Sequence, residues 1–244
     1  MTFLFLDFDN TLSEQSELHQ QYVTELSALL VEGHGGSAEA WQRACATQLL
    51  KVQKDYESVF VGNPLAGYRA WLERMRVGFV TEVFAEVGAA MPDNPLEVAT
   101  DYQFSALTSC NATYPGAYEA LETLFREGVR VQLASANDSE FLLAALIGAG
   151  IESFTESKFG PDLVDCAKEG PEFYKRIFEA SGVLPEKALV LDDHPETLNW
   201  ARETGARTVQ TKLSKVDVYP DDPDALAILR DLKDLPVFVR RFSM

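Results

Sequence analysis

The chain has 244 residues, 46% of them hydrophobic and 24% charged, which suits one large soluble domain or two smaller ones with an ordinary core. It carries 21 Lys and Arg against 38 Asp and Glu, a formal charge of -17, so phosphate backbones and anionic lipid surfaces repel it. Nucleic acid and membrane are thereby set aside as bulk partners, and any anionic substrate has to be met locally, by a metal ion or a few placed cations.

The first predicted strand, Phe3–Leu6, is an apolar run that carries straight into two carboxylates, Asp7 and Asp9. It is too short for a signal peptide and lacks a basic flank. Residues 14–101 then read as helix and nothing else. Leu18, Tyr22, Leu26, Leu29 and Leu30 recur at helical spacing, as do Trp41, Cys45, Leu49, Val52, Tyr56 and Phe60, and then Tyr68, Trp71, Leu72, Met75, Phe79 and Phe84. Such aromatic stripes read as core. Asn63-Pro64 and Asn94-Pro95-Leu96-Glu97 both look like helix starts, an N-cap followed by proline at the first helical position.

Beyond the insert, strands and helices alternate. Strands are expected at Val129–Ala134, near Phe154–Glu156, at Ala188–Leu191 and at Thr208–Gln210. Helices are expected at Gly116–Glu127, Ser139–Gly148, Pro171–Ser181 and Pro195–Glu203. Continuous apolar strands are the mark of a parallel sheet covered on both faces. The expected fold is therefore α/β, a Rossmann-like open parallel five-stranded sheet flanked by helices. Residues 1–13 and 102–244 form the core, interrupted by an all-helical cap at residues 14–101.

Ligands of open parallel sheets bind beyond the carboxyl ends of the strands. The first strand is followed there by Asp7-Phe8-Asp9-Asn10-Thr11, the second by Ser135-Ala136-Asn137-Asp138, and the fourth by Asp192-Asp193-His194. Lys168 stands in a loop just before a helix that opens Gly170-Pro171-Glu172. Four carboxylates, a hydroxyl and a lysine thus converge on one sheet edge. Alone, the carboxylates would repel one another. Mg2+ resolves that, because it takes oxygen ligands and is bound through one or two carboxylates plus substrate phosphate. One carboxylate, Asp7, can attack phosphorus, and its neighbour Asp9 can move the proton. Ser135, Ala136 and Lys168 suit the phosphate oxygens. Asn10 and Thr11 complete that loop, as groups that hold it. Arg69, Arg74 and Arg76 of the insert are possible contacts for a substrate anion, and His194 reads as a loop histidine.

These residues resemble the motifs of the haloacid dehalogenase-like superfamily, in particular its phosphatases with a helical cap after the first strand. Asp7-Phe8-Asp9-Asn10-Thr11 looks like its D-x-D-x-T motif, Val131–Ser135 like its second motif, Lys168 like its third-motif lysine, and Leu189–Asp193 like its fourth. The resemblance implies a nucleophilic Asp7, an acid/base Asp9, and Mg2+ held by Asp7, the backbone carbonyl of Asp9 and Asp193, with Asp192 close by. It implies a phosphatase of a small phosphorylated metabolite that works through an aspartyl-phosphate. Rival readings are a phosphomutase, a 2-haloacid dehalogenase, which in that branch lacks an aspartate at the position of Asp9, and a non-enzymatic binding module on the same fold. No G-x-S-x-G and no P-loop is present.

Cys45, Cys110 and Cys166 are odd in number and form no C-x-x-C pair, which argues against a disulfide framework or structural zinc. A cytoplasmic monomer or homodimer acting on a small-molecule phosphoester is expected.

Overall fold

The computed structural model describes residues 3–215 and 219–243; Met1, Thr2, residues 216–218 and Met244, all within the expected core ranges, lie outside it. The element order is β1 (Phe3–Leu6), α1 (Gln15–His34), α2 (Ala38–Phe60), α3 (Tyr68–Val87), α4 (Pro95–Leu107), α5 (Ala117–Arg126), β2 (Arg130–Ala134) and α6 (Ser139–Gly148). It continues with β3 (Lys158–Phe159), α7 (Pro161–Val164), α8 (Pro171–Ser181), β4 (Ala188–Asp192), α9 (Pro195–Glu203), β5 (Arg207–Thr211), β6 (Ile228–Leu229) and α10 (Leu235–Ser243).

The strands form one sheet in the order β3-β2-β1-β4-β5-β6, every pair parallel. The chain runs outward from β1 on one side, then crosses back and continues from β4 on the other. The switch point lies between β1 and β4, where the crevice beyond the strand ends opens. Register puts Leu6 opposite Leu191. The residues after each, Asp7 and Asp192, therefore emerge side by side.

Alternation along β1 serves two cores. Leu4 and Leu6 join Val131, Leu133, Leu189 and Leu191 under α5, α6 and α10. Phe5 points the other way, with Val190, against Phe173, Ile177 and Phe178 of α8 and Leu198 of α9. The first core continues without a break through Leu12 and Leu107 into Leu18, Trp41 and Phe84 of the insert. The three cysteines are free and buried. Among the described residues no helix is long and apolar enough to cross a membrane.

The insert leaves and rejoins the sheet through paired strands of chain. Glu14 N donates to Ala112 O (2.9 Å), Tyr114 N to Leu12 O (2.9 Å), and Ser13 bridges to Thr113. A second junction lies on the α2–α3 side of the insert. Phe60, Tyr68 and Trp71 pack on Ala167, and Ala167 N donates to Pro64 O (2.8 Å).

Three expectations are corrected. The third strand is Lys158–Phe159, while Glu152–Phe154 is a 3-10 turn whose Phe154 ring packs edge-on against Tyr118 at 5.2 Å. A sixth strand, Ile228–Leu229, extends the sheet beyond the five expected. Asn63-Pro64 is not a helix start; the Pro64 carbonyl is engaged by Ala167, and α3 begins only at Tyr68 after a left-handed Gly67 (φ 85°). The Asn94 signal does hold. Its side chain accepts from Glu97 N, and Pro95 opens α4.

Two arginines tie the insert to the sheet. Arg69 donates to the carbonyls of Asp162 (2.6 Å) and Leu163 (2.9 Å). Arg76 pairs with Asp138 (3.1 Å) and Glu140 (2.8 Å) at the start of α6. Arg76 and Asp138 are nearly buried, with side-chain exposures of 11% and 9%. Breaking such a pair strands a desolvated charge, at a cost of about 3 kcal/mol. Arg76→Ala should therefore lower the urea midpoint markedly, and Arg76→Ala/Asp138→Asn should recover much of the loss. An unchanged midpoint in the single variant would show that the pair holds nothing.

Candidate active site

Asp7 follows β1 directly, and its N–H donates to Leu191 O (2.9 Å), which locks the loop to β4. Lys168 reaches in from the loop before α8. Its ammonium is buried and donates to Asp7 Oδ1 (2.7 Å), Asp192 Oδ2 (2.7 Å) and Ala134 O (2.9 Å). One cation thus joins the ends of β1, β2 and β4, with all three of its donors engaged. Burial alone would lower the Lys168 pKa, but Asp192 and Asp7 outweigh it and hold the pKa well above the usual lysine range.

Asp7, Asp192 and Asp193 bring carboxylate oxygens within 4.8 Å of one another. Burial, reinforced by Asp192 and only partly offset by Lys168, pushes Asp7 up to about 6. Asp193 rises to about 8, through burial and then the charges of Asp192 and Asp7. Three carboxylates face one ammonium, so full ionisation at neutral pH calls for a further cation. An all-oxygen donor set of this kind fits a hard divalent ion. Both oxygens of Asp192 already accept hydrogen bonds, one from Lys168 and one from His194 N (2.9 Å).

Asp9 lies on the insert side of Asp7. Its Oδ2 accepts from Asn137 Nδ2 (2.9 Å) and Gln15 Nε2 (3.2 Å), while its Oδ1 is buried without a partner. Burial first, then the Asp7 charge, pushes Asp9 up to about 6 against the pull of those donors. The turn behind it holds because Asn10 takes the left-handed conformation (φ 53°), which asparagine tolerates, and its Oδ1 accepts from Gln15 N (3.3 Å).

The other expected residues fall around this centre. Ser135 is buried at the end of β2, its Oγ accepting from Asn137 N (3.4 Å). Ala136 lines the cavity that opens next to Asp9. Thr11 is fully buried, with Oγ1 3.0 Å from Thr211 Oγ1, and anchors the loop from below. Asp138 caps α6 by accepting from Phe141 N (2.9 Å). His194 caps α9, packs at a tilt against Tyr219 with ring centroids 4.2 Å apart, and has its pKa lowered by burial. Arg69 and Arg76, possible anion contacts by sequence, are engaged in the junctions with the sheet.

The bonds from Asn137 and Gln15 to Asp9 are what sequence reasoning missed, although Gln15, next to the expected hinge, is a candidate for lining the pocket and does line it. Asn137 reads as a helix cap, and only the fold shows that Asp138 does the capping while Asn137 turns to Asp9. Between the insert and the loops beyond the strands lies a cavity of about 1190 Å³ whose lining includes Asp9, Ala136, Asn137 and Glu169.

An open α/β sheet with carboxylates and one lysine at its switch point, and a helical insert directly behind the first strand, defines an enzyme core that works through acidic groups. The chain matches the haloacid dehalogenase-like hydrolases over residues 1–205 and belongs to that family. It is 25% identical over 252 residues to the phosphoserine phosphatase of Thermus thermophilus, covering 96% of this chain and 98% of that one. It is 25% identical over 218 residues to the validoxylamine A 7'-phosphate phosphatase of Streptomyces hygroscopicus subsp. limoneus, covering 86% and 93%. Its fold is similar to that of the L-2-haloacid dehalogenase PA0810, with a TM-score of 0.70 at 17% identity and 99% of each chain covered.

Proposed function

We propose that this hydrolase is a Mg2+-dependent phosphatase that cleaves a phosphomonoester of a small cytoplasmic metabolite through an aspartyl-phosphate on Asp7. The observation that carries the reading is the pairing of two differently held carboxylates. Asp7 is pinned by Lys168, and Asp9 is held by Asn137 and Gln15 with one oxygen free of partners. The phosphatase relatives support it.

Asp7 attacks phosphorus, and the bond from phosphorus to the ester oxygen breaks. Asp9 gives its proton to the departing alkoxide, then takes one from the water that attacks the aspartyl-phosphate, which returns Asp7 and releases inorganic phosphate. A carboxyl group raised to about 6 is mostly ionised at neutral pH, yet it takes up and gives back a proton there more readily than an unshifted carboxylate, which suits both halves of that task. Mg2+, held by Asp7, Asp193 and the Asp9 carbonyl, would neutralise charge on the transferring phosphoryl group. Asp193 is favoured over Asp192 as the direct ligand because Asp192 is committed to Lys168 and His194 N. Lys168 keeps Asp7 ionised and aimed, and Ser135 and Ala136 flank the phosphate. Residues 14–101 serve as a lid over a core of residues 1–13 and 102–244, excluding water when closed.

Carbon–halogen hydrolysis is the less suitable reading. A halide leaves as an anion and needs no proton, so the acid half of the task given to Asp9 would have no use there.

Asp9→Asn should lower kcat for an alkyl phosphate by about 10²–10⁴-fold. For p-nitrophenyl phosphate, whose leaving group departs without a proton, the loss in the first step should be far smaller, and a burst of nitrophenol should appear. Equal losses for both esters would remove Asp9 from the proton path.

A further inference from the structure

We propose that the cavity behind Asp9 selects the phosphate ester of a bulky, uncharged, ring-bearing alcohol and rejects alcohols that carry a second anionic group. The proposal rests on the phosphatase reading and names its substrate class.

The first observation is size. At about 1190 Å³ the cavity is larger than ordinary small-molecule pockets of about 300–1000 Å³. A two- or three-carbon phosphoester would leave most of it filled with water.

The second is the wall. Tyr56, Tyr68, Trp71, Leu72, Met75 and Phe79 line it from α2 and α3. Tyr68 and Trp71 are 4% exposed and held in place by the ring contacts of the insert, including Tyr68–Trp71 at 5.3 Å and Tyr56–Trp71 at 5.7 Å. The Trp71 indole N–H donates to Asp55 Oδ2 (2.7 Å), which fixes the ring. A rigid aromatic wall recognises apolar and ring surfaces at low entropic cost.

The third is charge. Among the described residues the lining has three groups that can carry positive charge, Arg76, Arg43 and His19. Arg76 is occupied by Asp138 and Glu140. Arg43 and His19 are exposed, where solvent screens them. Glu39 and Glu57 are exposed and screened in the same way, and Asp138 is paired with Arg76, which leaves Asp9 and the half-buried Glu169 as the acidic groups set into this lining. A carboxylate or second phosphate on the alcohol would therefore be desolvated against acidic groups with no buried cation to receive it, a cost that a neutral ring avoids.

The test compares esters of similar leaving alcohols: 2-phenylethyl phosphate and 2-(1-naphthyl)ethyl phosphate against phosphoglycolate and 3-phosphoglycerate, with Mg2+. The expected kcat/KM for the ring-bearing esters exceeds that for the anionic ones by at least about tenfold. Met75→Lys, at a half-buried position, should narrow the ratio by raising KM for the naphthyl ester and lowering it for phosphoglycolate, with its melting temperature checked alongside. Phosphoglycolate or 3-phosphoglycerate turned over as well as the ring esters, or a ratio that Met75→Lys does not change, would overturn the assignment while leaving the phosphatase reading intact. No phosphate released from any of the four would remove both.

Discussion

Asp7→Asn is expected to lower phosphate release by about 10⁴-fold or more, while leaving the protein folded. The amide fills the same space and keeps a carbonyl oxygen for Lys168, which retains Asp192 and Ala134 O. It also removes a costly charge. Asp7 is pushed up to about 6 by burial, so the folded state binds its proton more tightly than the unfolded chain does. Metal-free stability from this group is full below about pH 4 and is lost as pH rises through about 6. At pH 8 the metal-free variant should therefore melt no lower than the parent. The stabilisation that added Mg2+ confers on the parent should shrink in the variant, because one ligand is gone. A variant with wild-type turnover would remove Asp7 from the chemistry, and one that fails to fold would make it a structural residue.

Lys168→Met should be the most damaging single change to stability. The methionine keeps the volume but leaves Asp7 and Asp192 facing each other in a dry site. Removing one partner of a buried ion pair costs about 3–5 kcal/mol, and in a chain of this size each kcal/mol moves the melting temperature by about 2–4 °C, so a fall of roughly 10 °C is expected. Without the ammonium the Asp7 carboxyl group rises further, so the loss should be largest near pH 8 and smallest near pH 5, where protonation relieves it. Mg2+ should restore part of it. Activity should fall as well, because Asp7 loses the contact that aims it. Melting curves that match the parent at pH 8 would show that Lys168 does not hold the site together.

The strong elements were legible for a physical reason. β1, β2 and β4 are buried on both faces, so their apolar or nearly apolar runs have no competing reading, and the clustered carboxylates sit where β1 and β4 stop. β3 and β6 are two-residue edge strands. Their existence depends on a neighbour's hydrogen bonds rather than on any pattern of their own. Phe154 misled because its ring serves α5 through Tyr118 and Phe125 instead of the sheet. Asn63-Pro64 carries a real helix-start signal that a tertiary contact with Ala167 overrides.

The site was legible as a set of residue types, not as a network. Nothing in the spacing of Asp9, Gln15 and Asn137 says that two amides converge on one carboxylate. Nor could periodicity separate the two uses of the aromatic stripes. Trp41 is core alone, while its neighbour Phe84, at 5.0 Å, and Trp71 are both buried and part of the cavity wall. Which apolar face is left unfilled is decided by how the helices meet, and that is a property of the assembled insert.

The central claim is that Asp7 carries the phosphoryl group. The most direct measurement is to mix enzyme, Mg2+ and a turned-over phosphomonoester, quench in acid within one turnover, and locate phosphate on the peptides by mass spectrometry. The account predicts acid-stable, hydroxylamine-labile phosphate on the peptide that contains Asp7, accumulating further in Asp9→Asn when a nitrophenyl ester is used. Phosphate release with no labelled peptide, or a label on any other residue, would contradict it.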